Sequence, residues 1–403
     1  MISKEDGGML KDSKIDRYLF LILIFTFIIS GQIRYGVLGR ELGLINYVVL
    51  IIMAWVGIIY INRFNKIYIF LFSILTLYFL LTVVFYEKSI GNIIVSFCSF
   101  VVPTLIIGLK LDIRTFENFF RRMIVILNIV IITITILAIV DYLSDYKVMM
   151  FISRYMSPRF RELINIQSTR DVYRMYSFMG HPLFNTQLYL SFFITNMLYC
   201  KYYKKILPKS LVLIISILGI AMTASKSGFI LFFVSIILFN GNKIKIKYYF
   251  ILFTGVFIAF KLNIFDNIIT RFMDGSLTSG RSEIWNTVSM LDMYPIKVFV
   301  GYGNSFTFYY NKLIPWASAA FEYPIRMFSL ELGVINAVLI YLCIFIYPMW
   351  TLLKEKNIDI LLGYIIIFID INTYNGLSTI GDNMLVFSIF TFTMLNLSRN
   401  NKK

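Results

Sequence analysis

Residues 123–143 read MIVILNIVIITITILAIVDYL, an apolar run that meets no charged residue before Asp141. A helix of about 20 apolar residues crosses the roughly 30 Å hydrocarbon core of a lipid bilayer. The run therefore predicts a membrane-spanning helix. The composition of the remaining chain tells whether this helix is a single anchor or one of many.

The whole chain is unusually apolar. Of its 403 residues 59% are hydrophobic and 15% are charged, and the mean hydropathy is +0.77. Soluble domains carry about a quarter charged residues. A water-soluble fold of this length could not bury so many apolar side chains, so the bilayer must act as part of the solvent. The composition predicts an all-α polytopic membrane protein.

Twelve apolar runs are candidates for spans, each about as long as a bilayer requires. They lie near residues 18–33, 42–61, 67–86, 90–109, 123–143, 183–200, 207–224, 226–241, 247–262, 330–350, 358–373 and 383–398. Closely spaced neighbours form antiparallel hairpins. We therefore expect a single membrane domain over residues 1–403, with two long loops at residues 144–182 and 263–329.

The distribution of lysine and arginine predicts the orientation, because these residues favour cytoplasmic loops. With the N-terminus inside, the short outer segments hold only Arg34, Arg40, Lys88 and Lys226. The inverse orientation would move most of the other basic residues outside. Both termini are therefore expected in the cytoplasm and both long loops outside. The net charge of +16 then reflects cytoplasmic loops and lipid contacts, and nucleic acid is not an expected partner.

The two long loops are rich in aromatic and charged residues, which disfavours disorder. Loops of this length usually carry function, and we expect short helices in them that lie over the membrane face. Cys98, Cys200 and Cys343 fall in or beside apolar runs without metal-ligand spacing. The sequence therefore predicts neither a disulfide framework nor a metal site, and no cofactor.

The second long loop contains short motifs that suit a phosphate and a sugar. Gly280 permits an unusual turn, Arg281 offers a planar fork of donors, and Trp285 offers a stacking surface. The sequence Gly301-Tyr302-Gly303 allows a backbone to approach a ligand closely. Leu330-Glu331-Leu332-Gly333 then leads into the tenth run.

In this order, the G-R-x-x-x-W, G-x-G and E-x-G motifs resemble the O-antigen ligase and polymerase superfamily, and within it the Wzy-type polysaccharide polymerases. Two upstream stretches, GHPLFN at residues 180–185 and TASKS at residues 223–227, are similar to family segments, the second with lysine for arginine. The likeness covers most of the chain.

The resemblance implies a metal-independent, inverting glycosyltransferase in the cytoplasmic membrane of a bacterium. It would polymerise undecaprenyl-diphosphate-linked oligosaccharide repeat units, on the outer face, into capsular, exo- or O-antigen polysaccharide. Membrane lipid, a chain-length regulator and a flippase of the same pathway are the expected partners. Such a reaction needs cations for the leaving diphosphate and a base for the acceptor hydroxyl.

Three cations are candidates for the diphosphate. Arg281 matches the family arginine, with a loop-bracing arginine as the alternative interpretation. Lys226 stands in place of the family's second arginine, unless it only marks a helix end at the membrane boundary. Arg174, six residues before Gly180, is the third candidate.

Glu322 is the expected general base. Ligases of the superfamily carry a histidine nine residues before the Glu-x-Gly motif, and this position holds Glu322 here. An apolar loop can raise the pKa of a carboxyl group toward neutrality, which suits a general base. The alternative is a structural ion pair between Glu322 and Arg326.

Other polar residues are expected to bind substrate. His181, which is also suited to a structural hydrogen bond, and Asn185 lie at the start of the sixth run; Asp370 lies late in the eleventh. Trp285 and Tyr302 are expected to stack on sugar rings.

Two other functions remain open at this stage. A ligase would use the same chemistry and differ only in its acceptor. A flippase or another transporter would need polar residues lining a passage at mid-membrane. The predicted spans are nearly uncharged, which favours an enzyme over a transporter.

Overall fold

The computed structural model describes residues 4–87, 89–170, 172–240, 261, 264–273 and 280–401. Within these residues every regular element is a helix, and only two isolated bridges pair extended residues. The expected all-α fold is confirmed for this part of the chain.

Among the described residues, six α-helices precede the first long segment (residues 144–182). They are α1 (Lys4–Phe27), α2 (Gly31–Gly43), α3 (Tyr47–Ile59), α4 (Lys66–Val84), α5 (Ile90–Phe100) and α6 (Ile113–Leu143). Two short helices, α7 (Lys147–Ser153) and α8 (Pro158–Ser168), lie in that segment. Next along the chain are α9 (Pro182–Tyr202), α10 (Lys209–Thr223) and α11 (Lys226–Asn240).

The second long segment (residues 263–329) also contains short helices, of which the last extends beyond it. They are α12 (Ile264–Met273), α13 (Arg281–Met290), α14 (Phe306–Leu313) and α15 (Pro324–Leu332), with a 3₁₀-helix at Pro315–Phe321. The chain continues in α16 (Val334–Glu355), α17 (Ile358–Asn372) and α18 (Asn383–Asn400).

Four helical stretches of the described residues are long and apolar enough to cross a membrane. They are Lys66–Val84, Ile90–Gly108, Ile113–Leu143 and Val334–Glu355. A bent pair, Lys14–Phe27 with Gly31–Gly39, makes a fifth candidate if it is one span. The described residues are thus all-helical, with four to five candidate membrane spans among them, as in a membrane protein. Of the other expected spans, the ninth, 247–262, lies outside the described residues except for Lys261.

Three expected spans differ from straight helices, each for a local reason. The first bends by 82° because Ser30 caps a new helix and its hydroxyl accepts the Ile33 N–H. The fourth tightens to a 3₁₀-helix at Val102–Gly108, where Pro103 lacks the N–H that an α-helix would use. The tenth begins at Val334, because Gly333 has a φ of +91° and ends α15.

Contacts between the connecting segments sort them into two groups. In one group Arg34 pairs with Asp382 at 2.7 Å, and the Ser30 hydroxyl donates to the carbonyl of Phe178. In the other, Arg63 pairs with Asp112 at 3.2 Å, and Asn357 donates to the Ser398 carbonyl at 2.9 Å. Helix α17 begins in the second group and ends near the first, so the two groups lie at opposite ends of the bundle. We call these the Arg34 end and the Arg63 end.

Helix α9 forms the centre of the bundle. It is buried along almost its whole length and packs against α6, α10, α11 and α17. Buried polar side chains pair across helices, with Asn196 donating to Asn128 at 2.8 Å and Thr135 bonded to Tyr189 at 2.7 Å. Buried polar groups need such partners, so these bonds hold α9 in one register. Its N-terminus lies at the Arg34 end.

Candidate active site

Thr373, the residue that follows α17, joins three distant parts of the chain. Its carbonyl accepts a hydrogen bond from Arg281 Nη1 at 3.0 Å, and its hydroxyl lies 3.2 Å from that of Ser227. The starts of α13 and α11 therefore meet at the end of α17. Two of the predicted cations, Arg281 and Lys226, belong to these two helix starts.

Arg281 and Glu322 form an ion pair between Nη2 and Oε2. Gly280 has a φ of +75°, the expected unusual turn, and it places Arg281 as the first residue of α13. Glu322 follows the 3₁₀-helix Pro315–Phe321. The side chain of Arg281 is 18% exposed and that of Glu322 is 38% exposed. The structure thus brings the two predicted catalytic residues together, and Glu322 pairs with Arg281 instead of with Arg326.

Arg326 lies next to this pair and was not among the predicted substrate contacts. Its guanidinium lies 4.8 Å from the Trp285 ring and 4.4 Å from the Tyr323 ring. Its Nη1 donates to the Arg281 carbonyl at 3.4 Å. Burial lowers the pKa of Arg326, and no described residue pairs a carboxylate with it. The only sequence signal was its position one helical turn after Glu322.

Lys226 begins α11 in a tight hairpin with α10. Ala224 has a φ of +51°, and the Ser225 hydroxyl accepts the Gly228 N–H at 3.2 Å, which caps α11. A Cβ on Gly228 would lie 2.1 Å from Thr186 Cγ2, so the hairpin packs closely on α9. Lys226 is buried at the Arg34 end of the bundle.

Arg174 is held near the same hairpin by its backbone. The Met175 N–H donates to the Met222 carbonyl at 2.9 Å, and the Arg174 N–H donates to the Tyr146 hydroxyl at 2.8 Å. Asp141 supports this arrangement, because its Oδ2 accepts from the Tyr173 hydroxyl at 3.1 Å. Asp141 is a positioning residue that the sequence analysis missed, although it is the one acid in the most apolar run.

His181 and Asn185 brace the chain. His181 caps α9, and its Nδ1 accepts the Leu183 N–H at 3.3 Å. Asn185 accepts from the Ser177 hydroxyl at 2.8 Å and donates to the Met175 carbonyl at 3.0 Å. Asn185 is 1% exposed, so the structure gives it a role in holding the first long segment on α9. The structural hydrogen bond considered for His181 is present.

The predicted stacking residues differ in what their rings contact. Tyr302 stacks on Phe306 at 4.6 Å, and Lys297 Nζ lies 3.9 Å from the Tyr302 ring centre. The ring that was expected to stack on a sugar thus also contacts two residues of its own segment. Trp285 contacts Phe321 edge-on, and the Arg326 guanidinium lies over its ring. Trp285 therefore makes a cation–π contact.

Asp370 lies three residues before Thr373 in α17. It is 1% exposed, and its Oδ2 has no hydrogen-bond partner among the described residues. A buried carboxyl oxygen without a partner is costly. In this structure Asp370 is therefore a buried acid, one helical turn before the residue whose carbonyl accepts from Arg281. Asn372 and Asp382, nearby polar residues, bond to Tyr341 and Arg34.

The glycine motif around Tyr302 packs against the chain itself. The Tyr302 and Gly303 N–H groups donate to the Leu330 and Glu331 carbonyls at 2.9 and 3.0 Å. A Cβ on Gly301 would lie 2.3 Å from the Glu331 carbonyl carbon. A close backbone approach exists at Gly301, and it is to α15. The G-x-G and E-x-G motifs are therefore two sides of one packed joint.

Glu331 also stabilises this joint through its side chain. Its Oε1 accepts the Thr307 N–H at 3.1 Å and the Thr307 hydroxyl at 2.5 Å, at the start of α14. Burial raises the pKa of Glu331 from its ordinary 4.5 to about 7, although the bonds from Thr307 favour the charged form.

The raised pKa of Glu331 predicts a pH-dependent stability. A folded carboxyl with a raised pKa stabilises the protein below about 4.5, and this contribution is lost as the pH rises through about 7. We expect the Tm of the detergent-solubilised protein to fall over this range by more than the Tm of Glu331→Gln, which cannot ionise. A Tm difference between the two proteins that stays constant from pH 4.5 to 8 would contradict this pKa assignment.

In comparisons with known proteins, the chain matches no family model, no curated protein and no solved structure.

Proposed function

We propose that the chain is a glycosyltransferase that polymerises lipid-linked oligosaccharide repeat units, of the Wzy-type polymerase kind. The observation that carries this proposal is the Arg281–Glu322 ion pair with Arg326 against it. A carboxylate and two guanidinium groups are the groups that inverting transfer from a diphosphate requires, and none of them needs a metal ion or a cofactor.

The proposed orientation places this site outside the cytoplasm. Under it the chain has about twelve spans, both termini lie inside, and the Arg34 end faces outward. The Arg63 end carries basic residues in its connections, among them Arg63, Lys66, Lys110 and Lys356, which supports a cytoplasmic position for it. The site would then work at the outer surface of a bacterial cytoplasmic membrane, where lipid-linked repeat units, a flippase and a chain-length regulator would be its partners.

The proposed reaction is one displacement. The acceptor hydroxyl oxygen attacks the anomeric carbon of the donor glycan, and the bond from that carbon to the diphosphate oxygen breaks. Glu322 takes the hydroxyl proton, and the diphosphate departs with the bonding electron pair. Arg281 and Arg326 stabilise the departing charge, which is largest in the transition state. Attack opposite the leaving group inverts the anomeric configuration.

The test is turnover of a defined undecaprenyl-diphosphate-linked repeat unit by the purified chain in vesicles. We expect products longer by whole repeat units, at the same rate with and without a chelator. A matched reaction with a finished glycan and a second acceptor lipid separates a ligase from a polymerase. Absence of any transfer, together with movement of the lipid-linked unit between leaflets, would overturn the proposal in favour of a flippase.

A further inference from the structure

We propose that the diphosphate of the lipid-linked donor binds Arg326 and then replaces Glu322 as the partner of Arg281, so that the donor itself releases the base. This inference rests on the proposed function and adds an order of events to it. In this order of events the Glu322 carboxylate is first held by Arg281 and then released.

The charges around the site support this order. Arg281 is already neutralised by Glu322, so its charge is not available to an approaching anion. Arg326 has two aromatic rings and two carbonyl oxygens around it, and no described residue gives it a carboxylate. Of the three charged residues Arg281, Glu322 and Arg326, it is therefore Arg326 whose charge no described carboxylate compensates. A diphosphate that reaches the site is attracted to Arg326 first.

The position of Arg326 allows a diphosphate to reach Arg281 next. Its Nη1 lies 3.4 Å from the carbonyl oxygen of Arg281, so the two residues are neighbours. Trp285 and Tyr323 lie against the guanidinium and hold its plane. The remaining edge of the fork, Nε and Nη2, makes no bond to a described residue. A ligand with two linked phosphates can bind the guanidinium groups of two neighbouring residues at once, with one phosphate on each.

Arg281 can exchange its partner without leaving its place. Its Nη1 stays on the Thr373 carbonyl at 3.0 Å, while Nη2 contacts Glu322. A diphosphate that takes over Nη2 would break only the ion pair. Glu322 is 38% exposed, so its freed carboxylate can turn toward an acceptor hydroxyl. The acceptor therefore finds a free base only when the donor is bound.

Binding of undecaprenyl diphosphate without a sugar tests the exchange separately from turnover. The full chain in nanodiscs is titrated with this lipid, with undecaprenyl monophosphate as the comparison. We expect Glu322→Gln to bind the diphosphate about tenfold more tightly, because Arg281 is freed from its competitor. Arg326→Gln should bind it about tenfold more weakly, and Arg326→Lys should restore part of the loss. The monophosphate should discriminate less, because it has fewer oxygens and less negative charge to share between the two arginines.

Arg159→Gln is the matched control. Arg159 is an exposed arginine of α8 whose guanidinium lies 5.4 Å from the Phe308 ring, so its loss removes one charge and one aromatic contact elsewhere. Its affinity for the diphosphate should equal that of the wild type. The Tm of each variant separates weak binding from misfolding.

Two results would overturn the exchange: a Glu322→Gln protein that binds the diphosphate no more tightly than wild type, or an Arg326→Gln protein of wild-type Tm and affinity. Failure of the polymerase proposal has a different signature. The binding pattern would then be as expected, while the wild-type protein would transfer no glycan.

Discussion

Glu322→Gln is expected to lower the rate of glycosyl transfer by about 10²–10⁴-fold, which is the usual contribution of a positioned general base. Glutamine keeps the size of the side chain and an oxygen for Arg281, but it cannot accept the proton of the acceptor hydroxyl. The loss should therefore appear in the rate of the chemical step, while the diphosphate of the donor binds more tightly. Single-turnover transfer of a lipid-linked repeat unit, at saturating donor, measures this step directly.

Glu283→Gln is the control for this prediction. Glu283 is an exposed carboxylate in the first turn of α13, two residues from Arg281, and no ion pair holds it among the described residues. Its loss should leave the rate within about twofold of wild type, because surface substitutions away from bonded groups usually have small effects. If Glu322→Gln and Glu283→Gln transferred glycan equally fast, Glu322 would not be the base.

Gly301→Ala is expected to destabilise the second long segment by about 3 kcal/mol. A methyl group there would lie 2.3 Å from the carbonyl carbon and oxygen of Glu331 and 2.5 Å from the Leu330 carbonyl oxygen. These are backbone atoms on a packed helix, so the Gly301 segment must move away. The bonds from Tyr302 and Gly303 to α15 would weaken with it, which adds to the cost of overpacking.

The loss should be visible as a lower Tm and as faster proteolysis within residues 280–330 in detergent. Gly91→Ala is the matched control, because a methyl group there meets only the Ser89 hydroxyl at 3.4 Å. Its Tm should equal or exceed that of wild type, since alanine favours a helix over glycine. An unchanged Tm in Gly301→Ala would mean that the joint between the two motifs is not packed as the structure has it.

Several local features of the fold were predictable from the sequence because their causes are local. The apolar run at 67–86 is α4, and the run at 183–200 is α9, since length and apolarity alone specify such helices. The helices within the two long segments were expected from their aromatic content. The bend at Ser30 and the break at Gly333 were not predicted, because both occur inside apolar runs where hydropathy gives no signal.

The candidate site was predictable only in part. The motif likeness singled out Arg281 and Glu322, yet the sequence offered Arg326 as the partner of Glu322 because it is near in the chain. Tyr302 and Asn185 were expected to meet substrate, and the structure adds contacts within the chain, from Lys297 and Phe306 to Tyr302 and from Ser177 and Met175 to Asn185. A motif specifies residue types and their order. It does not specify which of these side chains will contact other residues of the same chain.

The sequence alone determined that this protein is helical and built for a membrane, because apolarity and length act within single segments. It also determined which residue types stand in each connection. Only the tertiary structure decided that Arg281 meets Glu322, that Arg326 remains without a carboxylate among the described residues, and that Thr373 joins α13 to α11. These contacts join residues far apart in the chain, and their formation depends on how the helices pack.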